Sequence, residues 1–242
     1  MATLLAWAYS VRPTASLSIA AISLFAVTTW RIREIAIYLT VGAFWLTALL
    51  TLNGWEFGYL GLGPPIYQDL AWSLNGSTAR LLGILASPGR GLLIYCPVVA
   101  FLIYLAARHF RSIPSQKLAL MAFVVIIMQL LILAANTYEW WGGYCYGPRY
   151  CTDLVPWFVL LAILGCSAFT KNSSTSALGT RISIGGGLTL LVLSFTLNAP
   201  GALSRSSMAW NNVADVDEHP ERLWNWRNPP FMAPLRVAVT NH

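Results

Sequence analysis

The stretch LALMAFVVIIMQLLILAA, Leu118–Ala135, contains no Asp, Glu, Lys or Arg. A helix needs about 17 to 25 apolar residues to cross the roughly 30 Å hydrocarbon core of a bilayer at 1.5 Å per residue. The run is apolar on every side, whereas the strands of a membrane barrel alternate apolar and polar residues in segments of about ten. The stretch therefore predicts a transmembrane helix.

Five further runs share this character, and none of them carries a charged side chain. Only helices and closed barrels satisfy their backbone polar groups inside lipid. We therefore predict an all-α fold, a polytopic transmembrane helix bundle of about six spans. The predicted spans are 14–30, 35–52, 91–107, 118–135, 154–170 and 182–199.

The composition supports an integral membrane protein. Of 242 residues, 57% are hydrophobic and 10% are charged, against roughly a quarter charged in an ordinary soluble domain. The mean hydropathy is +0.60. A net charge of +6 would raise the question of nucleic acid in a soluble protein. Here the charge is distributed among the short loops, and we predict no nucleic-acid partner.

The basic residues predict the orientation in the membrane. Cytoplasmic loops of membrane proteins carry an excess of Lys and Arg. Among the short loops, three alternate connections hold seven basic residues, and the opposite loops hold only Arg80, Arg90 and Arg149. The long loops and the C-terminus are therefore predicted to be extracytoplasmic. The residues that mark the cytoplasmic side are Arg31, Arg33, Arg108, Arg111, Lys117, Lys171 and Arg181.

The outer segments are long and aromatic. In the first outer loop, 53–91, residues 66–86 are predicted to form an amphipathic helix at the interface. The tail, 200–242, contains several tryptophans, which would be unfavourable if exposed in a floppy segment. We therefore expect the tail to pack against the outer loops or the membrane surface.

The second outer loop, EWWGGYCYGPRYCTD at Glu139–Asp153, concentrates specific chemistry. Gly142-Gly143 and Gly147-Pro148 favour tight turns that fold the loop back on itself. The aromatic faces of tryptophan and tyrosine stack on the apolar side of a sugar ring, and the guanidinium fork of arginine fits a phosphate. The candidate substrate-binding residues in this loop are Trp140, Trp141, Tyr144, Tyr146 and Arg149.

Two arginines have alternative structural interpretations. Arg149 could pair with Glu139 or Asp153 and hold two helix ends together, because a charge at the membrane edge reaches water at modest cost. Arg90 follows the turn Ser87-Pro88-Gly89 at the mouth of a span, and is either a sixth candidate anion contact or an interfacial anchor.

The four cysteines do not form a metal set. Cys96 and Cys166 fall inside predicted spans, where a small apolar residue is expected. Cys145 and Cys151 share the outer loop and could form a disulfide in an oxidising compartment. The chain has no Walker loop, GxSxG or HExxH motif. We predict neither a metal nor a cofactor.

Four motifs carry a resemblance to a known group. They are VRPTA at 11–15, SPGRGLLIYCPV at 87–98, WWGGYCYGPRYCTDLVP at 140–156 and PERLWNW at 220–226. In this series the chain resembles bacterial multi-pass proteins of the C-type glycosyltransferase superfamily. The resemblance implies a bacterial inner-membrane protein that handles a polyprenyl-phosphate sugar donor at the outer face, with membrane lipid as its environment.

The chain departs from that superfamily at its start. The resemblance implies a catalytic acidic residue in a first large outer loop, and no residue here matches it, so the catalytic residue stays unknown. Met1–Val11 is too short to span and has the character of the last half of an earlier helix. We therefore expect the chain to correspond to the carboxy-terminal part of such an enzyme, with the preceding spans on a partner chain or a longer protein.

Two functions of different classes follow from the sequence. The first is a glycosyltransferase-like membrane protein, or a fragment of one. The second is a non-catalytic membrane module that binds lipid or a partner protein. A transporter is a weaker third, because no predicted span contains the charges that usually mark an ion route.

Overall fold

The computed structural model describes residues 1–58, 72–137, 140–172, 177–212 and 216–240. Within these residues the regular structure is helical, apart from one isolated bridge between Trp72 and Asn136. The all-α prediction is confirmed. The chain divides into two compact units, Met1–Ala71 and Trp72–His242.

The first unit contains three helices. They are α1 at Ala2–Val11, α2 at Ser16–Thr29 and α3 at Ile32–Phe57. The start of α3 is capped because the Arg31 backbone N–H donates to the Glu34 carboxylate at 3.0 Å. Its end is at Gly58, whose φ of 72° suits glycine at a helix terminus. Trp45 donates from Nε1 to Thr3 Oγ1 at 3.2 Å and so ties α3 to α1.

The second unit contains the remaining helices. A set of long helices, α6 to α9, forms its body, and short helices precede and follow them. The bounds are α4 Ser77–Ala86, α5 Leu92–Tyr95, α6 Val98–Arg108, α7 Gln116–Ala135, α8 Val155–Asn172, α9 Ala177–Leu203, α10 Arg205–Ala209 and α11 Ala233–Thr240.

Four helical segments of the described chain are long and apolar enough to cross a membrane. These are two fewer than the six predicted spans. The length and the composition of the four helices indicate a membrane protein. Each overlaps a predicted span: 35–52, 118–135, 154–170 and 182–199. The segments are Ile32–Phe57, Gln116–Ala135, Arg149–Lys171 and Leu178–Leu203.

The other two predicted spans differ from the structure. The span predicted at 91–107 is divided between α5 and α6 at Cys96-Pro97. Proline lacks an N–H donor and disfavours helical geometry in the residue before it, and Cys96 has φ −131° and ψ 63°. The span predicted at 14–30 is the short helix α2, preceded by a 3₁₀ turn at Pro13–Ala15.

The helix α8 packs against both α6 and α7, and α9 packs against α6. The helices α6 and α8 approach closely at Gly165. A Cβ added there would lie only 3.2 Å from the backbone nitrogen of Ala106. Ala119 and Ala122 of α7 are fully buried, as is Leu161 of α8. Small residues let helix backbones approach in this way, which is typical of membrane helix packing.

Within the described residues, the amphipathic helix predicted at 66–86 is found from Ser77 onwards. Residues 59–71 lie outside the described part of the chain, and α4 starts only at Ser77, after a turn at 74–76. Arg80 of α4 has a structural role. Its Nε donates to the Ala134 carbonyl at 2.7 Å and its Nη2 to the Ser73 carbonyl. The first of these satisfies a carbonyl in the last turn of α7, which has no partner within its own helix.

We expect Arg80→Met to lower the free energy of unfolding by about 2 kcal/mol, because hydrogen bonds from a charged group contribute about 1.5 to 3 kcal/mol. Thermal unfolding in detergent measures it. The matched control is Arg181→Met, which removes an exposed arginine of α9. Equal melting temperatures for the two variants would contradict the capping role.

The two ends of the helical body differ in character. At one end the connection 109–115 joins α6 to α7, and the ring of His109 lies 5.6 Å from that of Phe169 near the end of α8. Arg108, Arg111 and Lys171 belong to this end. At the opposite end Ser73 donates its backbone N–H to the Ala135 carbonyl at 2.9 Å. The described outer-loop residues therefore meet at the end away from these basic residues. Which side of the membrane that end faces stays a prediction.

Candidate functional site

Three segments far apart in sequence form one folded layer at that end. We call it the cap and define it as residues 87–91, 140–154 and the described part of 204–232. Gly89 donates its N–H to the Leu223 carbonyl at 3.0 Å, and Asn211 Nδ2 donates to the Cys145 carbonyl at 3.0 Å. Trp141 Nε1 donates to Asp217 at 2.8 Å. These bonds join the tail to both loops.

The SPGRG segment makes a tight turn that directs Arg90 inward. The backbone N–H of Gly91 donates to the Ser87 carbonyl at 2.7 Å, and the N–H of Arg90 donates to Ser87 Oγ at 3.1 Å. A side chain at Gly91 would place its Cβ 2.5 Å from the Ser87 carbonyl oxygen. Only glycine fits such a close backbone approach.

Arg90 is buried between two indole rings. Its side chain is 2% exposed, and its guanidinium carbon lies 5.5 Å from the ring centroid of Trp141 and 5.1 Å from that of Trp210. Its two terminal nitrogens donate to Asn211 Oδ1 and to the Gly89 carbonyl. Among the described residues its Nε has no hydrogen-bond partner.

The buried guanidinium is charged, and no carboxylate of the described residues forms an ion pair with it. Burial lowers the pKa of Arg90, and the nearby Arg222 lowers it further, but an arginine remains protonated in proteins. Desolvated cation–π contacts are worth about 2 kcal/mol or more each, which offsets part of the desolvation. Arg90 is therefore a buried anchor of the cap in this structure, and its role as an anion contact or an interfacial anchor stays a prediction.

The aromatic candidates divide by exposure. Trp141 is buried, and Trp140 is partly buried against α4, where a Cβ at Gly83 would lie 2.6 Å from its ring. Tyr146 is half-buried, and its hydroxyl donates to the Leu197 carbonyl at 2.6 Å. Burial raises the pKa of Tyr146. Tyr144 is 56% exposed and thus accessible to a ligand.

The turns of the aromatic loop depend on glycine as the sequence predicts. Gly142 and Gly147 have φ values of 105° and 65°, where other residues are strained. A Cβ at Gly147 would also lie 3.2 Å from the Tyr95 ring. The ring of Tyr95 packs edge-on against Tyr146 at 5.3 Å. The turn therefore holds the loop close to α5.

Arg149 is exposed at the first position of a 3₁₀ segment, Arg149–Leu154, that leads into α8. Its guanidinium makes no hydrogen bond or ion pair with any described residue. The predicted alternative pairing with Asp153 is not observed. Glu139, the other predicted partner, lies outside the described residues. Of the two candidate arginines, Arg149 is the accessible one.

The cysteines are all free thiols. Cys145 Sγ donates to the Gly142 carbonyl at 3.2 Å, and Cys151 is buried. The disulfide considered between them is not formed. In the described part of the chain no group of three His, Cys, Asp or Glu side chains is placed to hold a metal.

Several residues of the cap were not singled out from the sequence. Asn211 joins Arg90 to the Cys145 carbonyl, and Arg222 stacks on Trp210 at 4.2 Å while its Nη2 donates to the Trp210 carbonyl. Leu223 is fully buried against the SPGRG turn. The sequence signal for Arg222 and Leu223 was the PERLWNW motif, which occurs in series with the two loop motifs, and Asn211 lies outside that motif.

No family model matches the chain, and no curated protein or solved structure is significantly similar to it.

Proposed function

We propose that this membrane protein binds a polyprenyl-phosphate sugar at the cap, as a glycosyltransferase-like protein or the carboxy-terminal part of one. In this proposal Arg149 contacts the lipid-linked phosphate and Tyr144 stacks on the sugar. The cap faces the extracytoplasmic side of a bacterial inner membrane. The acidic residue for catalysis is supplied by a partner chain or by a further part of the protein.

The observation that carries the proposal is the exposure of the Arg149 side chain. An exposed guanidinium with no ion pair among the described residues is free to form two parallel hydrogen bonds to a phosphate. It stands where the 3₁₀ segment enters α8, a candidate membrane span. The phosphate of a membrane lipid lies at the surface of the hydrocarbon core, where a membrane span begins. The position and the chemistry therefore agree.

The remaining site candidates hold in place the loop that carries Tyr144 and Arg149. Arg90 and Trp141 are buried, and they fix the loop to the tail. Tyr146 fixes the loop to α9 through the Leu197 carbonyl. A loop that is ordered before the ligand arrives loses less conformational entropy on binding. These three residues therefore position the loop that carries Tyr144 and Arg149. Trp140 adds an apolar face beside Trp141.

A second candidate is a non-catalytic module that binds lipid or a partner protein. The observation that favours it is the burial of Arg90 and Trp141, which contribute to packing and offer no surface for chemistry. A lipid-linked sugar transfer assay distinguishes the two functions. Transfer by the purified chain, alone or with its partner, supports the enzyme, and binding without transfer supports the module.

We expect Arg149→Lys to weaken polyprenyl-phosphate binding about tenfold, because lysine keeps the charge but loses the two-pronged donor geometry. Arg149→Ala should weaken binding further. Neither change should alter the melting temperature by more than about 1 °C, since the side chain is exposed and makes no ion pair with a described residue. Binding to the protein in nanodiscs and thermal unfolding are measured on the same samples.

The matched control for Arg149 is Arg111→Ala, an exposed arginine at the opposite end of the helical body. It should leave binding unchanged. Unaltered lipid binding in both Arg149 variants would refute the phosphate contact. A drop in melting temperature with no loss of binding would assign Arg149 to the fold instead.

A further inference from the structure

The tail displays two exposed tryptophans on a short turn. Trp224 is 44% exposed and Trp226 is 58% exposed, although tryptophan is the largest side chain and has an apolar body. The other tail tryptophan, Trp210, is buried in the cap. Folding of the cap therefore buries one of the three tail tryptophans and leaves two outside.

The turn that carries them is well supported. The backbone N–H of Trp226 donates to the Trp224 carbonyl at 3.0 Å, and that of Arg227 donates to Asn225 Oδ1 at 3.0 Å. Buried Leu223 lies before the turn and fully buried Pro229 lies after it. The exposure of the two indoles is thus a property of the fold and not of a loose segment.

The same tail exposes an aliphatic surface next to a membrane-length helix. Leu203, the last residue of α9, lies near the start of the tail and is 85% exposed. The helices α10 and α11 and the 3₁₀ turn Pro230–Met232 pack on one another, and α10 and that turn also pack on α9. Apart from the two tryptophans, the exposed large apolar side chains in the described part of 203–236 are Leu203, Met208, Met232 and Leu235.

Charge next to these side chains favours an anionic surface. Arg205 is two residues after Leu203 and Arg227 directly follows Trp226, and both arginines are exposed. Glu221, an acid close to the turn in sequence, has its carboxylate 3.2 Å from His219 Nδ1. Arginine binds lipid phosphates, and tryptophan is most stable in the headgroup zone, where its apolar body and its N–H are both satisfied.

We propose that the exposed face of the tail docks onto the headgroup zone of the bilayer that holds α9, with anionic phospholipid as its partner. We call it the tail face and define it as Leu203, Arg205, Met208, Trp224, Trp226, Arg227, Met232 and Leu235. It joins the cap to the membrane surface. The tail face is separate from the Arg149 contact, so the two proposals stand or fall independently. Aliphatic side chains favour lipid over a sugar ligand here, because sugars stack on aromatic rings.

The test uses the full chain in nanodiscs of phosphatidylglycerol and phosphatidylethanolamine. Tryptophan fluorescence is measured with lipids brominated near the headgroup and, separately, with aqueous acrylamide. The chain has 11 tryptophans, so each variant is compared with wild type. We expect Trp224→Phe/Trp226→Phe to remove the bromolipid quenching of about two tryptophans and to leave acrylamide quenching nearly unchanged.

The control is Trp157→Phe, which removes a buried indole of α8 outside the cap and should change neither quenching. If the double variant fails to fold, each single variant gives the same readout. A loss of acrylamide quenching with unchanged bromolipid quenching would overturn the proposal, because the indoles would then face water. Protection of the indoles from acrylamide by a soluble oligosaccharide would likewise overturn it in favour of a sugar site.

Discussion

Arg90→Ala is expected to lower the free energy of unfolding by about 3 to 5 kcal/mol, the range for removing a large buried side chain. The change leaves a cavity between the rings of Trp141 and Trp210, whose centroids are now 5.5 and 5.1 Å from the guanidinium. It also leaves Asn211 Oδ1 and the Gly89 carbonyl without this donor. The loss of a charged hydrogen bond adds to the loss of packing.

Thermal unfolding of the purified protein in detergent measures the effect. Arg149→Ala is the matched control, because it removes an exposed arginine of the same cap. Arg90→Lys should lie between wild type and Arg90→Ala, since an ammonium keeps the charge but not the planar stack on two indoles. A wild-type melting temperature for Arg90→Ala would contradict its place as the buried anchor.

Gly91→Ala is expected to destabilise the protein by about 3 kcal/mol, the upper part of the usual range for overpacking. The added Cβ would lie 2.5 Å from the Ser87 carbonyl oxygen and 2.6 Å from the Ser87 nitrogen. Both are backbone atoms, so no side chain can turn away to relieve the clash. The turn that directs Arg90 inward must open, and we expect the tail to lose its contact with Gly89.

Gly185→Ala is the control for that substitution. Gly185 lies inside α9, and a Cβ there would meet nothing within 4 Å. Alanine is favoured over glycine in a helix by about 0.5 to 1 kcal/mol, so this variant should be neutral or slightly stabilised. Limited proteolysis of the tail provides a second measurement. Equal stability and equal proteolysis of the two variants would rule out the tight-turn account of Gly91.

The helical fold could be predicted from the sequence because its signal is local. Each charge-free run reports on its own residues, and the run at 118–135 corresponds closely to α7. The run at 91–107 failed as one span because hydropathy does not register the backbone restriction at Cys96-Pro97. The run predicted at 182–199 is shorter than the helix that contains it. The helix α9 continues through Pro200 to Leu203.

The candidate site was only partly predictable. The tight turns of the aromatic loop depend on Gly142 and Gly147 themselves, so the sequence is enough to indicate them. The burial of Arg90 depends on Trp210 and Asn211, more than a hundred residues further along the chain. Nothing in the local pattern SPGRG distinguishes a buried arginine from an exposed one. The structure is therefore what separates Arg90 from Arg149.

The central claim is that the cap lies on the extracytoplasmic side, with the basic connections on the cytoplasmic side. Sided labelling with a membrane-impermeant maleimide tests it most directly. Asn212→Cys reports on the exposed surface of the cap, and Ser112→Cys reports on the connection between α6 and α7. Labelling above the wild-type background is predicted for Asn212→Cys in intact cells, and for Ser112→Cys only after permeabilisation. Labelling of Ser112→Cys in intact cells would contradict the account.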